Sequence, residues 1–133
     1  MALRRILMMA CGAVAFFALA TLPAAADTDV KKEIATTQAH AGFAAAGADL
    51  TAVQMHLHHV VNCLVGPKGK GYDASQANPC KDQGNGVIPD YKGKQKKVLQ
   101  QALDTTRAGL KATDLAVAKQ KASDADMLLK KVM

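Results

Sequence analysis

Three of the four histidines in this chain fall within four positions, in the segment Met55 to Cys63. Imidazole nitrogens are ligands for zinc and copper ions and for haem iron. On a helix, residues three apart share a face, so His56 and His59 can approach one ligand, while His58 projects from the opposite flank. The spacing therefore predicts a transition-metal site, with His58 as an alternative ligand.

The remaining candidate ligand is His40, which lies in the preceding stretch of chain. A tight bend near Ala48 would place residues at equal distances from it level with one another on two antiparallel helices, and His40 and His56 are each eight positions away. We therefore expect His40 to join His56 and His59. In the alternative interpretation these are surface or hydrogen-bonded histidines that only respond to pH.

Imidazole ligands, with a thioether from Met55, favour Cu or Zn over Ca²⁺ or Mg²⁺, which prefer oxygen ligands. An ordinary exposed methionine is the alternative for Met55, because it faces away from the expected core. Non-covalent haem bound through His56 or His59 is a third interpretation. The chain contains no C-x-x-C-H motif for covalent haem attachment.

The first 26 residues have the pattern of a secretory signal peptide. Arg4 and Arg5 precede an apolar run from Ile6 to Ala20, and small residues at 23–26 form a cleavage site. We expect a periplasmic or secreted protein that contacts the membrane only through this segment, before cleavage. A retained membrane anchor is the alternative, but the run is short for a span of about 20 residues.

Residues 27–133 are then expected to form a single domain. Of 17 basic and 11 acidic residues in the chain, loss of Arg4 and Arg5 leaves 15 basic residues and a net charge of +4. Two cysteines remain, and an even count in an exported protein predicts a Cys63–Cys80 disulfide. In the chain-entropy model this bond contributes on the order of 3 kcal/mol to stability.

The periodicity predicts an all-α fold. Helical patterning covers 30–46, and a stripe of Leu50, Val53, Leu57, Val60 and Leu64 follows a capping Asp49. A region of about 66–93, rich in glycine and proline, is typical of a long loop. Two more helical patterns follow, separated at Asp114. We predict a small up-and-down four-helix bundle with a long disulfide-tied loop between its second and third helices. A three-helix bundle results if the last two patterns are continuous.

A weak internal repeat supports this division, because residues 47–54 resemble residues 112–119 at an offset of 65. Lys121, Ser123 and Asp124 stand where the first half has its histidine cluster. Because these three residues replace the histidines, any chemistry is expected in the N-terminal half and in the loop. The alternative is that the repeat is a chance similarity between alanine-rich helices.

Since Cys63 shares a flank with His56 and His59, the disulfide is expected to draw the loop over the imidazoles as a roof. Side chains that could then support the metal ligands are Met55, Tyr72, Asp73, Asn78 and Asp82. The loop and its neighbouring lysines, over 66–97, could also form a surface for an envelope protein partner.

No enzyme is indicated, because the chain has neither a G-x-S-x-G nor an H-E-x-x-H motif. Lysines at 92, 94, 96 and 97 are typical of a solvated helix face, and nucleic acid is not expected because no aromatic residues are interleaved with them. Two function classes remain. The first is an exported protein that buffers, delivers or senses Cu or Zn. The second is a non-catalytic helical adaptor of the cell envelope without a metal.

Overall fold

The computed structural model describes residues 28–133, and this part of the chain contains five helices and no strand. The helices are α1 (Val30–Ala46), α2 (Leu50–Val65), α3 (Val87–Asp90), α4 (Lys96–Lys111) and α5 (Leu115–Lys130). The all-α prediction is confirmed. The predicted signal peptide lies outside the described residues, and none of the described helices has the length and apolarity needed to cross a membrane.

Two corners of the same design join the long helices in pairs. Three residues separate α1 from α2, and three separate α4 from α5. At the first corner the Asp49 carboxylate accepts a hydrogen bond from the backbone N–H of Ala52 at 2.8 Å. At the second corner the Asp114 carboxylate accepts one from Val117 at 2.9 Å. Each aspartate caps the following helix, and the repeat at an offset of 65 residues thus corresponds to two helical hairpins.

The two hairpins pack side by side, with α1 against α2 and α5, and α4 against α5 and α2. The last two helical patterns are two separate helices in the described residues, α4 and α5. Small residues line the helix contacts, which lets the backbones approach closely. Fully buried alanines of this kind are Ala41, Ala44, Ala102, Ala118, Ala122 and Ala125.

Gly109 of α4 packs closely against both α2 and α5. A Cβ atom at this position would lie 2.8 Å from Leu57 Cδ1 and 3.0 Å from Lys121 Cβ. Only glycine fits without displacement of one of these side chains. Burial of Leu57 beneath α4 therefore depends on the missing side chain.

The connection between α2 and α4 differs from the featureless loop that its composition predicts, since it contains the single-turn helix α3. Cys63 and Cys80 form a disulfide with a Cα–Cα distance of 5.2 Å. Glu33 of α1 is fully buried and accepts a hydrogen bond from the Gly86 N–H at 2.9 Å. Burial raises the pKa of this carboxyl group. The connection is thus attached to both α1 and α2.

Candidate metal centre

The imidazoles of His40, His56 and His59 converge across the α1–α2 contact. His40 Nδ1 lies 3.3 Å from His56 Nδ1 and 3.3 Å from His59 Nδ1. One ring nitrogen from each residue falls within 4.8 Å of the other two. Helix α1 supplies one of these rings and α2 supplies two, which lie one turn apart on the same face. The three histidines therefore form a cluster that could hold a metal ion.

The spacing of the nitrogens matches the edge of a tetrahedral coordination sphere. Zn–N bonds of about 2.0–2.1 Å at tetrahedral angles separate two ligand nitrogens by about 3.3 Å. Both distances from His40 Nδ1 have this value. Two of the three distances within the cluster thus have the spacing that a tetrahedral ion needs, and the third lies within 4.8 Å.

Hydrogen bonding among the rings does not account for this arrangement by itself. A neutral imidazole nitrogen carries either one proton or one lone pair, so His40 Nδ1 makes one good hydrogen bond. It nevertheless faces two ring nitrogens at 3.3 Å. A metal ion would accept the lone pairs of all three nitrogens and remove the unsatisfied contact.

The local electrostatics favour the neutral form of His40 and His59, which is the form that binds metal. Burial, together with the neighbouring His59 and His56 rings, lowers the pKa of His40 from its ordinary value of 6.5 to about 4. Burial and the adjacent His56 and His58 also lower the pKa of His59. Protons therefore compete for the His40 and His59 nitrogens only in more acidic solution than for an ordinary histidine.

Phe43 borders the cluster and was not identified from the sequence. Its ring lies 5.4 Å from the His40 ring and 5.5 Å from the His56 ring, measured between centroids. Its side chain is nevertheless 54% exposed. Its place three residues after His40, on the same face of α1, was the available signal. Phe43 covers part of the imidazole cluster and leaves an apolar edge open to solvent.

His58 lies outside this cluster, on the other flank of α2. Its Nδ1 atom is 3.6 Å from the Asp73 carboxylate. Hydrogen bonds from Ser75, with a contribution from His58, lower the pKa of Asp73. His58 and Asp73 thus face one another, while the convergence of three ligand nitrogens within the described residues involves only His40, His56 and His59.

The disulfide-bonded part of the connection contacts α1 one helical turn before His40. Cys80 Sγ is 3.6 Å from the Glu33 carbonyl oxygen and 3.7 Å from Thr37 Oγ1, in the turn of α1 before His40. In the part of the chain that the structure describes, no hydrogen bond joins a proposed supporting side chain to the three histidines. Tyr72 packs on the core, Asn78 accepts from the Cys80 N–H, and Asp82 and Met55 are exposed.

Asn62 is a second residue that the sequence analysis missed. Its fully buried side chain donates to the carbonyl oxygens of Asp73, Gln76 and Ala77 and accepts from the Asp73 N–H at 2.8 Å. Four hydrogen bonds from one amide hold the connection against α2. A polar residue inside the apolar run of α2 was the only signal for this role.

The histidine cluster offers three protein ligands to a tetrahedral ion. Among residues 28–133, no cysteine, aspartate or glutamate joins the group. A fourth coordination position is thus left for water or for a donor from another molecule. Comparisons with protein family models, with curated proteins and with solved structures find no match for this chain.

Proposed function

We propose that this protein binds a transition metal, Zn²⁺ in the first place, through the Nδ1 atoms of His40, His56 and His59. The observation that carries the proposal is the pair of 3.3 Å distances from His40 Nδ1 to the other two nitrogens. These distances equal the ligand spacing of a tetrahedral zinc site, about 3.3 Å. The neutral state of His40 supports it further, because protons do not compete for this ligand near neutral pH.

Copper is the second metal that these ligands suit. Cu²⁺ prefers tetragonal geometry, in which neighbouring ligand nitrogens lie about 2.9 Å apart. The wider spacing at His40 therefore favours Zn²⁺ over Cu²⁺. The exposed Met55 thioether precedes His56, but no contact of Met55 with the cluster supports a role in copper binding.

Three protein ligands and one open position suit a metal that is taken up and released. Structural zinc sites are closed by four protein ligands, whereas an open position allows ligand exchange. The half-buried rings and the exposed edge of Phe43 leave the open position accessible. No carboxylate of the described residues stands in the group to act as a general base. We therefore propose buffering, delivery or sensing of the metal, without catalysis.

We place this activity outside the cytoplasm. The Cys63–Cys80 disulfide supports an oxidising compartment. The arginines and apolar run of the first 26 residues support export. A periplasmic or secreted protein of this kind would meet zinc and copper as exchangeable ions.

The test is a calorimetric titration of metal-free protein with Zn²⁺ and with Cu²⁺. We expect one equivalent of Zn²⁺ to bind and expect a His56→Ala, His59→Ala double variant to lose this binding. His58→Ala is the matched control, since it removes the same residue type from the same helix outside the cluster. Zinc binding that survives the double variant, or that His58→Ala abolishes, would overturn the proposal.

The two remaining interpretations have their own outcomes in this experiment. Protein that binds neither metal would be better described as a helical adaptor of the envelope, with Phe43 and the lysines of residues 66–97 as its contact surface. Haem binding would give a Soret absorption band on addition of haemin. Cavities of about 630 and 250 Å³ occur in the described part of the chain, and neither is lined by a histidine.

A further inference from the structure

A groove of about 630 Å³ lies at the other end of α2 and shares no residue with the histidine cluster. It runs between the C-terminal end of α2, the single-turn helix α3 and the outer face of α4. Volumes of about 300–1,000 Å³ are typical of small-molecule sites in proteins. Its lining residues are Val65, Lys68, Gly69, Lys70, Asn85, Ile88, Pro89, Asp90, Lys96, Gln100, Leu103 and Arg107.

The floor of this groove is apolar. Val65 and Leu103 belong to the main core cluster, and Ile88 packs against that cluster from α3 while remaining partly exposed. Pro89 extends the apolar surface at the rim. An occupant of the groove would therefore bury an apolar body against the edge of the core, which is favourable in proportion to the area removed from water.

The rim of the groove is cationic. Lys68 and Lys70 line one side, and Lys96 and Arg107 of α4 line the other. None of the ion pairs within residues 28–133 includes any of the three lysines. Like charges around one cavity repel each other, and an anion between them would relieve that repulsion.

The contacts of Arg107 and Asp90 also bear on the positive charge of the rim. Arg107 is held in place because its Nη2 donates to the Lys70 carbonyl oxygen at 2.7 Å. The one carboxylate in the lining, Asp90, is already hydrogen-bonded by the backbone N–H of Asn85 at 2.6 Å and by the Asn85 side-chain amide at 3.2 Å. No ion pair within residues 28–133 includes Asp90, while Arg107 Nη1 lies 3.9 Å from the Asp104 carboxylate outside the lining. Four cations thus line the groove against one carboxylate, and the three lysines carry most of the excess positive charge.

We propose that this groove binds a small organic anion with an apolar body, of the class of aliphatic carboxylates. The chain of the ligand would lie on Val65, Ile88 and Leu103, and its carboxylate would lie among the lysines and Arg107. The proposal is independent of the metal site, because the two sites use different residues of α2 and different helices around it.

The experiment uses decanoate as the probe, with chelator-treated and zinc-loaded protein, in a calorimetric titration and in NMR spectra of backbone amides. Acetate carries the same charge without the chain, and decyltrimethylammonium carries the same chain with the opposite charge. We expect decanoate to bind at sub-millimolar concentration and more tightly at low salt, because salt screens exposed charges. We expect neither comparison compound to bind at these concentrations, and the shifted amides to lie along the groove.

Each of two matched variants replaces two lysines by glutamate and so reverses the charge at two positions. Lys68→Glu with Lys96→Glu changes the rim, whereas Lys31→Glu with Lys81→Glu makes the same change in charge at exposed positions outside the groove. We expect at least tenfold weaker decanoate binding in the first variant and less than a twofold change in the second. Equal effects of the two variants, equal binding of decyltrimethylammonium, or binding only to phosphatidylglycerol vesicles would each overturn the proposal. Loss of zinc binding in the His56→Ala, His59→Ala variant with unchanged decanoate binding would show that the two sites are separate.

Discussion

The N-terminal and C-terminal hairpins share one scaffold and differ in what they carry. Helices α2 and α5 begin at Leu50 and Leu115 and are each 16 residues long, at a constant offset of 65. In the first hairpin His56 and His59 face His40. At the matching positions of the second, Lys121 Nζ lies 4.0 Å from the Asp124 carboxylate. The same spacing of three residues thus serves a candidate metal site in one hairpin and an ion pair in the other.

The difference shows that the same backbone positions have different roles, depending on the residue types there and on how far their side chains are buried. The Lys121–Asp124 pair is partly exposed, and pairs of this kind contribute about 0–1 kcal/mol. Burial and the neighbouring rings lower the pKa values of His40 and His59, so these two imidazoles stay neutral and can offer a nitrogen lone pair to an ion. The aspartate-capped corner therefore positions side chains, while the residue types decide whether they bind an ion or pair with each other.

The largest effect is expected on zinc affinity, when positions 56 and 59 are changed to the residues found at the matching positions of the C-terminal hairpin. In a His56→Lys, His59→Asp variant only one imidazole remains, and the new lysine would pair with the new carboxylate as Lys121 does with Asp124, so zinc affinity should fall by more than about 1,000-fold. The fold should persist, because the new residues can form the ion pair seen in α5. Competition with a chromogenic chelator measures the affinity, and Lys121→Ala with Asp124→Ala is the control that should leave it unchanged. Retained zinc affinity in the exchanged variant would place the metal elsewhere.

A second prediction concerns position 62 and its counterpart at position 127. Asn62→Met removes four hydrogen bonds to the connection, and the Gln76 and Ala77 carbonyl oxygens lose the partner that Asn62 provides. We expect a loss of about 2 kcal/mol in the free energy of unfolding. Met127→Asn is the reciprocal change at a side chain that is 50% exposed, and it should alter stability by less than about 0.5 kcal/mol. Urea denaturation compares the two, and equal losses would show that Asn62 has no special role.

The third prediction is a pH dependence confined to the N-terminal hairpin. Because the pKa of His40 falls from 6.5 to about 4 on folding, the unfolded chain binds more protons between these values. The contribution of His40 to the stability of metal-free protein should therefore be lost as the pH falls from 6.5 towards 4, against an opposite contribution from Glu33, whose pKa is raised. His40→Gln should make this loss shallower, and Thr105→Gln, at the matching position of α4, should not. Thermal melts across this pH range provide the measurement, and parallel curves for both variants would contradict the expectation.

The smallest effect is expected from transfer of the site to the C-terminal hairpin. Thr105→His, Lys121→His and Asp124→His place three imidazoles at the positions that match the native cluster. We expect a second zinc equivalent of weaker affinity, because Gly109 packs closely on Lys121 of α5, whose Cβ would lie 3.0 Å from a Cβ atom at Gly109, and this leaves little room for larger rings to adjust. Native mass spectrometry counts the bound ions. A variant with only the changes at positions 121 and 124 is the control, and an unchanged count of one in the triple variant would show that the hairpins are not equivalent.

Local signals predicted much of the scaffold. Helix spacing, the capping aspartates at positions 49 and 114 and the repeat marked the long helices, because these features act within a few residues. The Cys63–Cys80 bond followed from there being two cysteines after the predicted signal peptide. The short helix α3 was not predicted, since four residues carry too little periodicity to be recognised in a region rich in glycine and proline.

The amino-acid sequence by itself determined that His56 and His59 share a helix face and that a tight corner could bring His40 level with them. Only the tertiary structure decided that His40 Nδ1 lies 3.3 Å from the other two Nδ1 atoms, that Phe43 borders the cluster, and that Cys80 contacts Thr37 of α1. It also decided the burial of Glu33 and Asn62. The physical reason is the distance along the sequence over which each feature is determined. Helix periodicity is set by neighbouring residues, whereas ring orientation and the path of a long connection depend on contacts between residues far apart in the chain.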